Sequence, residues 1–192
     1  MADLSAFVLA GGRSSRMGRD KALLRLDGQT LLERAQELAR SITEQVAIAG
    51  SRKKYGPVAI EDTYPARGPL GGIHAALTAT KTDLNLILSV DTPFLTSEFL
   101  HFLVAEAVRR GTTVTVPYVS GRFQPLCAMY RREFLALAEP ALRAGHNKID
   151  SLFCHTTVRR IEEAELIRLA FDPRMFDNLN TPEDFARAQN RQ

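Results

Sequence analysis

The sequence predicts an α/β protein, with α/β/α layers stacked around a mostly parallel central sheet, and three observations predict it. Short apolar runs at 6–10 and 84–90 lack the alternation of a half-buried strand, as expected where both faces of a sheet are covered. Between such runs lie stretches whose apolar residues recur at helical spacing, bounded by cap and stop signals. No repeat, low-complexity tract or Gly/Ser/Pro linker interrupts the 192 residues, so 1–192 reads as a single domain.

Taken in order, Ala6-Phe7-Val8-Leu9-Ala10 is a buried strand ending at Gly11-Gly12. The apolar segment 22–26 closes on a turn at Asp27-Gly28. Thr30 caps a helix whose Leu31, Ala35, Leu38 and Ile42 share one face. Segments 45–49 and 58–60 read as further strands. A helix is expected over 70–80 although Gly71 and Gly72 each cost about 1 kcal/mol there. Tolerating that cost points to a close backbone approach. The run 84–90 is the most strand-like and ends at Asp91. Thr96 or Ser97 then caps a helix that runs to Arg110 and stops at Gly111. Strands at 114–117 and 126–130 precede a helix over about 133–143. Thr181-Pro182-Glu183-Asp184 opens a last helix with a cap, a proline at the first position and acids in the first turn. In open sheets of this kind ligands bind beyond the carboxyl ends of strands. The loops after Ala10, Ile60 and Val90 are therefore where a site is expected.

Bulk composition excludes several classes. Hydrophobic residues make up 45% and charged residues 24%, which is ordinary globular usage and neither disordered nor fibrous. No apolar run approaches the ~18–20 residues of a membrane helix, and the N-terminus lacks a secretory-signal pattern. A cytoplasmic protein without a membrane partner is expected. The net charge of +3 suits small anionic substrates. Lys and Arg are scattered and lack interleaved aromatics, so no nucleic-acid partner is expected. Cys127 and Cys154 form neither a metal spacing nor a disulfide framework and read as small core residues. His74, His101, His146 and His155 share no spacing and read as structural or surface residues.

The segment from Leu9 to Lys21 carries the most chemistry. Gly11, Gly12 and Gly18 permit φ > 0 and let backbone N–H groups crowd around an anion. Arg16 and Lys21 add fixed positive charge suited to a triphosphate and to a pyrophosphate leaving group. The segment is neither a Walker A loop nor G-x-G-x-x-G. On its own it suits phosphate binding or a solvated surface turn. Asp91, at the carboxyl end of a buried strand, suits Mg²⁺, which takes one or two protein carboxylates plus phosphate and water; the alternative is a helix-capping or turn aspartate. Asp62 ends another short strand and suits either guanine and ribose donors or a turn.

The stretch L-A-G-G-x-S-x-R-M-G-x-D-K resembles the signature loop of nucleotidyltransferases that activate sugars and cofactors, and most closely that of molybdenum cofactor guanylyltransferases (molybdopterin guanine dinucleotide synthases). Further motifs carry the likeness along the chain from about 6 to 188. These are E-D-x-x-x-x-x-G-P-L-G-G-I from Glu61, V-D-T-P-F around Asp91, Q-P-L-C-A-x-Y from Gln124, and F-x-N-x-N-T-P-E from Phe176. Cytidylyl-transferring relatives tend to begin L-A-A-G, so Gly11-Gly12 favours guanine. The resemblance implies a Rossmann-like fold of the nucleotide-diphospho-sugar transferase type. It implies transfer of GMP from GTP to the phosphate of molybdenum-molybdopterin, with release of pyrophosphate. Under it Leu9, Ala10, Gly11, Gly12, Lys21, Asp62 and Asp91 bind GTP; Arg16, Lys21 and Asp91 are catalytic; Asp91 holds Mg²⁺; and Asn178, Asn180 and Lys148 meet the acceptor. It leaves room for transient contacts with cofactor-biosynthesis or molybdoenzyme partners. One departure is that Ala49-Gly50-Ser51 stands where family members often place an asparagine, with Ser51 the candidate substitute. The alternatives are a cytidylyl- or sugar-phosphate nucleotidyltransferase and a non-catalytic GTP-binding protein. Turnover of GTP against CTP separates the first, and GTP binding without pyrophosphate release marks the second.

Overall fold

The computed structural model describes residues 3–10, 20–179 and 181–189. Its centre is a seven-stranded sheet of order β4-β1-β5-β8-β6-β7, with β9 on the other side of β6. The strands are β1 (Leu4–Leu9), β4 (Val46–Ala49), β5 (Leu84–Ser89), β6 (Val114–Val119), β7 (Arg122–Phe123), β8 (Cys127–Arg131) and β9 (Val158–Glu162). β4, β1, β5, β6 and β9 run one way, while β8 and β7 run the other. The sheet is thus mostly parallel, with β8 reversed at its middle. Every residue of β1 and of β5 is buried, as expected for strands covered on both faces.

Helices sandwich the sheet, giving the α/β/α layers. The helices α1 (Leu31–Arg40), α4 (Ser97–Arg110), α6 (Glu163–Arg168) and α7 (Pro182–Gln189) cover one face. There Ala6, Val8, Leu86 and Leu88 pack with Ala35, Leu103 and Leu166. The helices α3 (Pro69–Ala79) and α5 (Leu135–Arg143) cover the other, where Phe7, Leu9 and Ile87 meet Ile73, Leu77 and Ala138. Each residue from Leu70 to Leu77 is buried, so α3 needs no polar stripe. The hairpin of β2 (Arg25–Leu26) and β3 (Gln29–Thr30) turns on Asp27 and Gly28, both at positive φ, and delivers Thr30 to the start of α1. There the Thr30 side chain accepts from the Glu33 N–H at 3.1 Å and Glu33 accepts from the Thr30 N–H at 2.8 Å, a complete capping box. Gly111 ends α4 in the left-handed conformation.

Several expectations are corrected. Segment 58–60 is not a strand: only Ile60 bridges Ala49, and Val58 is 85% exposed after the turn at Gly56. The apolar segment 22–26 spans the end of a 3₁₀ turn (Lys21–Leu23) and the two strand residues Arg25–Leu26 before the expected turn at Asp27-Gly28. Cys127 is buried as expected, but Cys154 is exposed, its thiol donating to the Ser151 carbonyl in a surface 3₁₀ turn. Of the histidines, only His74 is buried. The short elements α2 (Arg52–Tyr55), α6, β7 and β9 had no signal strong enough to be read in advance.

Candidate active site

Of the described candidate residues, Leu9, Ala10, Lys21 and Asp91 lie at the carboxyl ends of β1 and β5, and Asp62 lies in the loop after Ile60. Leu9 and Ser89 are register partners at the ends of β1 and β5. Parallel pairing brings the residues that follow them, Ala10 and Asp91, to one edge of the sheet. Lys21 reaches this edge from the 3₁₀ turn that Asp20 caps by accepting from the Ala22 N–H at 3.2 Å. Its Nζ stands 3.5 Å from Asp91 Oδ2, with the two side chains only 17% and 25% exposed. Seventy residues of sequence separate these partners, so the pairing is a product of the fold.

Asp91 is held from two further sides. Ser89 Oγ donates a hydrogen bond to Asp91 Oδ1. The Leu179 N–H donates to the Asp91 carbonyl at 2.9 Å. This bond moors the C-terminal segment beside the carboxylate. Leu179 is buried, and its neighbour Asn178 is exposed. Thr181 then starts α7 by accepting from the Asp184 N–H at 3.1 Å, while Asp184 accepts from the Thr181 N–H at 3.0 Å.

Asp62 approaches from the other flank, and the two glycines of α3 account for how. A Cβ on Gly71 would lie 3.2 Å from Asp62 Oδ2 and 3.1 Å from the Tyr64 carbonyl oxygen. A Cβ on Gly72 would lie 3.4 Å from Leu9 Cδ2 and 3.8 Å from Asp62 Oδ1. Bare backbone at both positions thus lets α3 close on Leu9 and the Asp62 carboxylate, the close approach anticipated from the sequence. Loss of water around that carboxylate raises its pKa above the ordinary value, with the neighbouring His74 opposing the shift. His74 is itself buried, which lowers its pKa; Glu139 and Asp62 oppose that shift and Arg143 adds to it. Its ring meets Tyr64 edge-on at 5.1 Å.

Lys148 is not brought into this cluster by a direct contact among the described residues. It is exposed in the loop after α5; earlier in that loop an added Cβ on Gly145 would lie 3.4 Å from Arg67 Nη1, in the Asp62 loop. Ser51, which stands for the family's asparagine, begins α2 half-buried and makes no capping bond with its side chain. Gly11, Gly12, Arg16 and Asn180 lie outside the described residues. Sequence reasoning gave Ser89 no role. Ser89 was findable as the polar residue two positions before Asp91, in a run whose other residues apart from Asn85 are apolar.

Among the described residues no three His, Cys, Asp or Glu side chains cluster closely enough to hold a metal ion on protein ligands alone. The donor set at Asp91, one carboxylate beside a hydroxyl at an open strand end, fits a hard cation completed by phosphate and water. No helix among the described residues is long and apolar enough to cross a membrane.

Comparison with known proteins gives the family and the fold. The family described as MobA-like NTP transferase domain matches residues 6–159. A molybdenum cofactor guanylyltransferase of Desulfosudis oleivorans is 30% identical over 97% of this chain and 94% of its own length. A Clostridium perfringens protein named "Probable molybdenum cofactor guanylyltransferase" is 31% identical over 94% of this chain and 93% of its own. The crystal structure of molybdopterin-guanine dinucleotide biosynthesis protein A from Archaeoglobus fulgidus superposes with a TM-score of 0.83 at 27% identity, covering 97% of both chains. The 2-C-methyl-D-erythritol 4-phosphate cytidylyltransferase of Thermus thermophilus shares the fold alone, with a TM-score of 0.69 at 20% identity over 97% of both chains.

Proposed function

Because the chain belongs to the MobA-like NTP transferase domain family, we propose that it transfers GMP from GTP to the terminal phosphate of molybdenum-molybdopterin, acting as a single nucleotidyltransferase domain over 1–192. The observation that carries this reading is the Lys21–Asp91 pair at the carboxyl ends of β1 and β5, with Leu179 mooring the C-terminal segment to the same aspartate. Its curated relatives bear the name molybdenum cofactor guanylyltransferase over nearly their whole length, which favours GTP over CTP as donor. GTP is a cytoplasmic metabolite, and the cytoplasm is the compartment proposed.

In the reaction a phosphate oxygen of the acceptor attacks the α-phosphorus of GTP, the bond to the β-phosphate bridging oxygen breaks, and pyrophosphate carries away the electron pair. The attacking phosphate is ionised near neutral pH, so no general base is needed. Lys21 stands where it can meet charge gathering on the leaving pyrophosphate, and Arg16 adds a second cation by motif. Asp91, oriented by Ser89, would hold Mg²⁺, which supplies charge neutralisation across the phosphates. Asp62, with Leu9, Ala10, Gly11 and Gly12, borders the guanosine, its carboxylate accepting from guanine N–H groups or ribose hydroxyls. Asn178 and Asn180 offer amides to the pterin edge, which both donates and accepts, and Lys148 meets the acceptor phosphate. The protein forms no covalent bond, so alignment of the reactants and stabilisation of the developing charge together supply the rate.

The test is to incubate the protein with Mg²⁺, molybdenum-molybdopterin and each nucleoside triphosphate in turn while following pyrophosphate. Release with GTP at well above the CTP rate, together with formation of molybdopterin guanine dinucleotide, is expected. CTP turnover at an equal or higher rate, or tight GTP binding without pyrophosphate, would contradict the proposal.

A further inference from the structure

Tyr55 has no part in the chemistry just described, yet it touches both ends of the glycine-rich segment. Its hydroxyl lies 2.8 Å from the Ala10 carbonyl oxygen and 3.0 Å from each carboxylate oxygen of Asp20. Ala10 and Asp20 are the described residues that border 11–19 on either side. One phenol thus joins the exit of β1 to the entry of the turn that carries Lys21. Both partners are acceptors, so the phenolic O–H donates to the two of them as a shared bond. Lys54, one residue earlier on α2, donates to Asp20 Oδ2 at 2.8 Å and holds the carboxylate in place. Burial pushes the Asp20 pKa up, but the bonds from Lys54, Tyr55 and the Ala22 N–H outweigh it and hold the group below the ordinary carboxylate range. It is therefore the ionised acceptor that the phenol meets at neutral pH.

The local sequence is fitted to this contact. An added Cβ on Gly50 would fall 2.9 Å from Tyr55 Cε2 and 3.0 Å from its Cδ2, so the aromatic ring lies directly on bare backbone at the end of β4. Burial of the hydroxyl and its contact with Asp20 push the Tyr55 pKa far above its ordinary value, so the phenol keeps its proton. From Asp20 the contact passes on in one step: Asp20 caps the 3₁₀ turn through the Ala22 N–H, and Lys21 leaves that turn toward Asp91.

We propose that Tyr55 is a positioning residue for nucleotidyl transfer, its hydroxyl clamping the Ala10 carbonyl to the Asp20 carboxylate and so fixing where Lys21 stands against Asp91. The proposal rests on the guanylyl-transfer reading above. It assigns Tyr55 to the donor triphosphate and not to the acceptor, which is the property an experiment can isolate.

The test compares Tyr55→Phe with the unaltered protein in calorimetric GTP binding with Mg²⁺ and no acceptor, and in steady-state turnover. A lost bond to a charged group predicts a rise of about tenfold in both the GTP dissociation constant and the GTP KM, with the acceptor KM unchanged. Gly50→Ala, which displaces the ring while leaving the hydroxyl intact, is expected to raise the same two constants, and it serves as the reading should Tyr55→Phe fail to fold. A loss confined to melting temperature or to kcat, with GTP affinity intact in either folded variant, would overturn the clamp. Equal rises in GTP and acceptor KM would overturn it as well. If the unaltered protein turns over CTP and not GTP, the guanylyl reading fails separately, and the same comparison made with CTP then decides the clamp.

Discussion

Three independent contacts converge on Asp91: Ser89 on one carboxylate oxygen, Lys21 on the other, and the Leu179 N–H on its carbonyl. Replacing it by Asn keeps the shape and the backbone bond but removes the charge. Asp91→Asn should therefore cut pyrophosphate release by at least about 10²-fold while leaving thermal unfolding nearly unchanged. An assay of turnover beside a melting curve checks both halves. Asp62 makes a pH prediction. Its pKa is raised, chiefly by loss of water, so it takes up a proton at higher pH than an ordinary aspartate. A protonated carboxyl accepts more weakly from guanine or ribose. GTP affinity should weaken as pH falls through that raised pKa, and the dependence should flatten in Asp62→Asn; titration calorimetry across acidic pH reads it. The stability effect has the opposite sign. Burial disfavours the charged form, so this group favours folding in acid, and its contribution is lost as pH rises through the folded-state pKa. Lys21 and Asp91 were legible in the sequence because motif and strand end mark them. Tyr55 was not, because a lone tyrosine after Arg52-Lys53-Lys54 looks like any surface aromatic until the fold sets it against Ala10 and Asp20.

The glycines of α3 separate two effects that a single substitution normally mixes. In a helix interior Gly→Ala gains about 1 kcal/mol of propensity. At Gly71 the new methyl meets the Tyr64 carbonyl and the Asp62 carboxylate at 3.1 and 3.2 Å, so it should push the Asp62 loop outward. At Gly72 it meets flexible Leu9 methyls at 3.4 and 3.5 Å. Gly71→Ala should thus lose GTP affinity with little change in stability. Gly72→Ala should raise stability and lose less affinity; binding and urea denaturation measured on both variants decide. At α1, loss of the capping box in Thr30→Ala should cost about 1 kcal/mol in the same denaturation assay. Capped helices such as α1 and α4 were readable because Thr30 and Thr96 sit directly before helical periodicity. The edge strand β9 was hidden for a physical reason. Its Arg159 is held by ion pairs to Glu106 and Glu165, at 2.9 and 2.5 Å, so the strand reads as a charged surface segment in sequence. Segment 58–60 misled in the opposite way, its apolar residues following a turn that leaves Val58 exposed.

Across the whole molecule, the parallel strands β4, β1 and β5 bring three loops to one edge, and the returning C-terminal segment closes over the same edge at Leu179. The reversal at β8 was not legible, since an antiparallel strand buried on both faces carries the same apolar pattern as a parallel one. That topology, with Lys21 and Asp91 facing each other 70 residues apart, makes a specific claim about where a nucleotide goes. The most direct measurement is a crystal structure of the protein with GTP and Mg²⁺. Phosphates are expected against Lys21, the cation on the Asp91 carboxylate, and guanosine beside Asp62 and the first turn of α3. Electron density for the nucleotide at any other surface, or a cation bound away from Asp91, would contradict that claim.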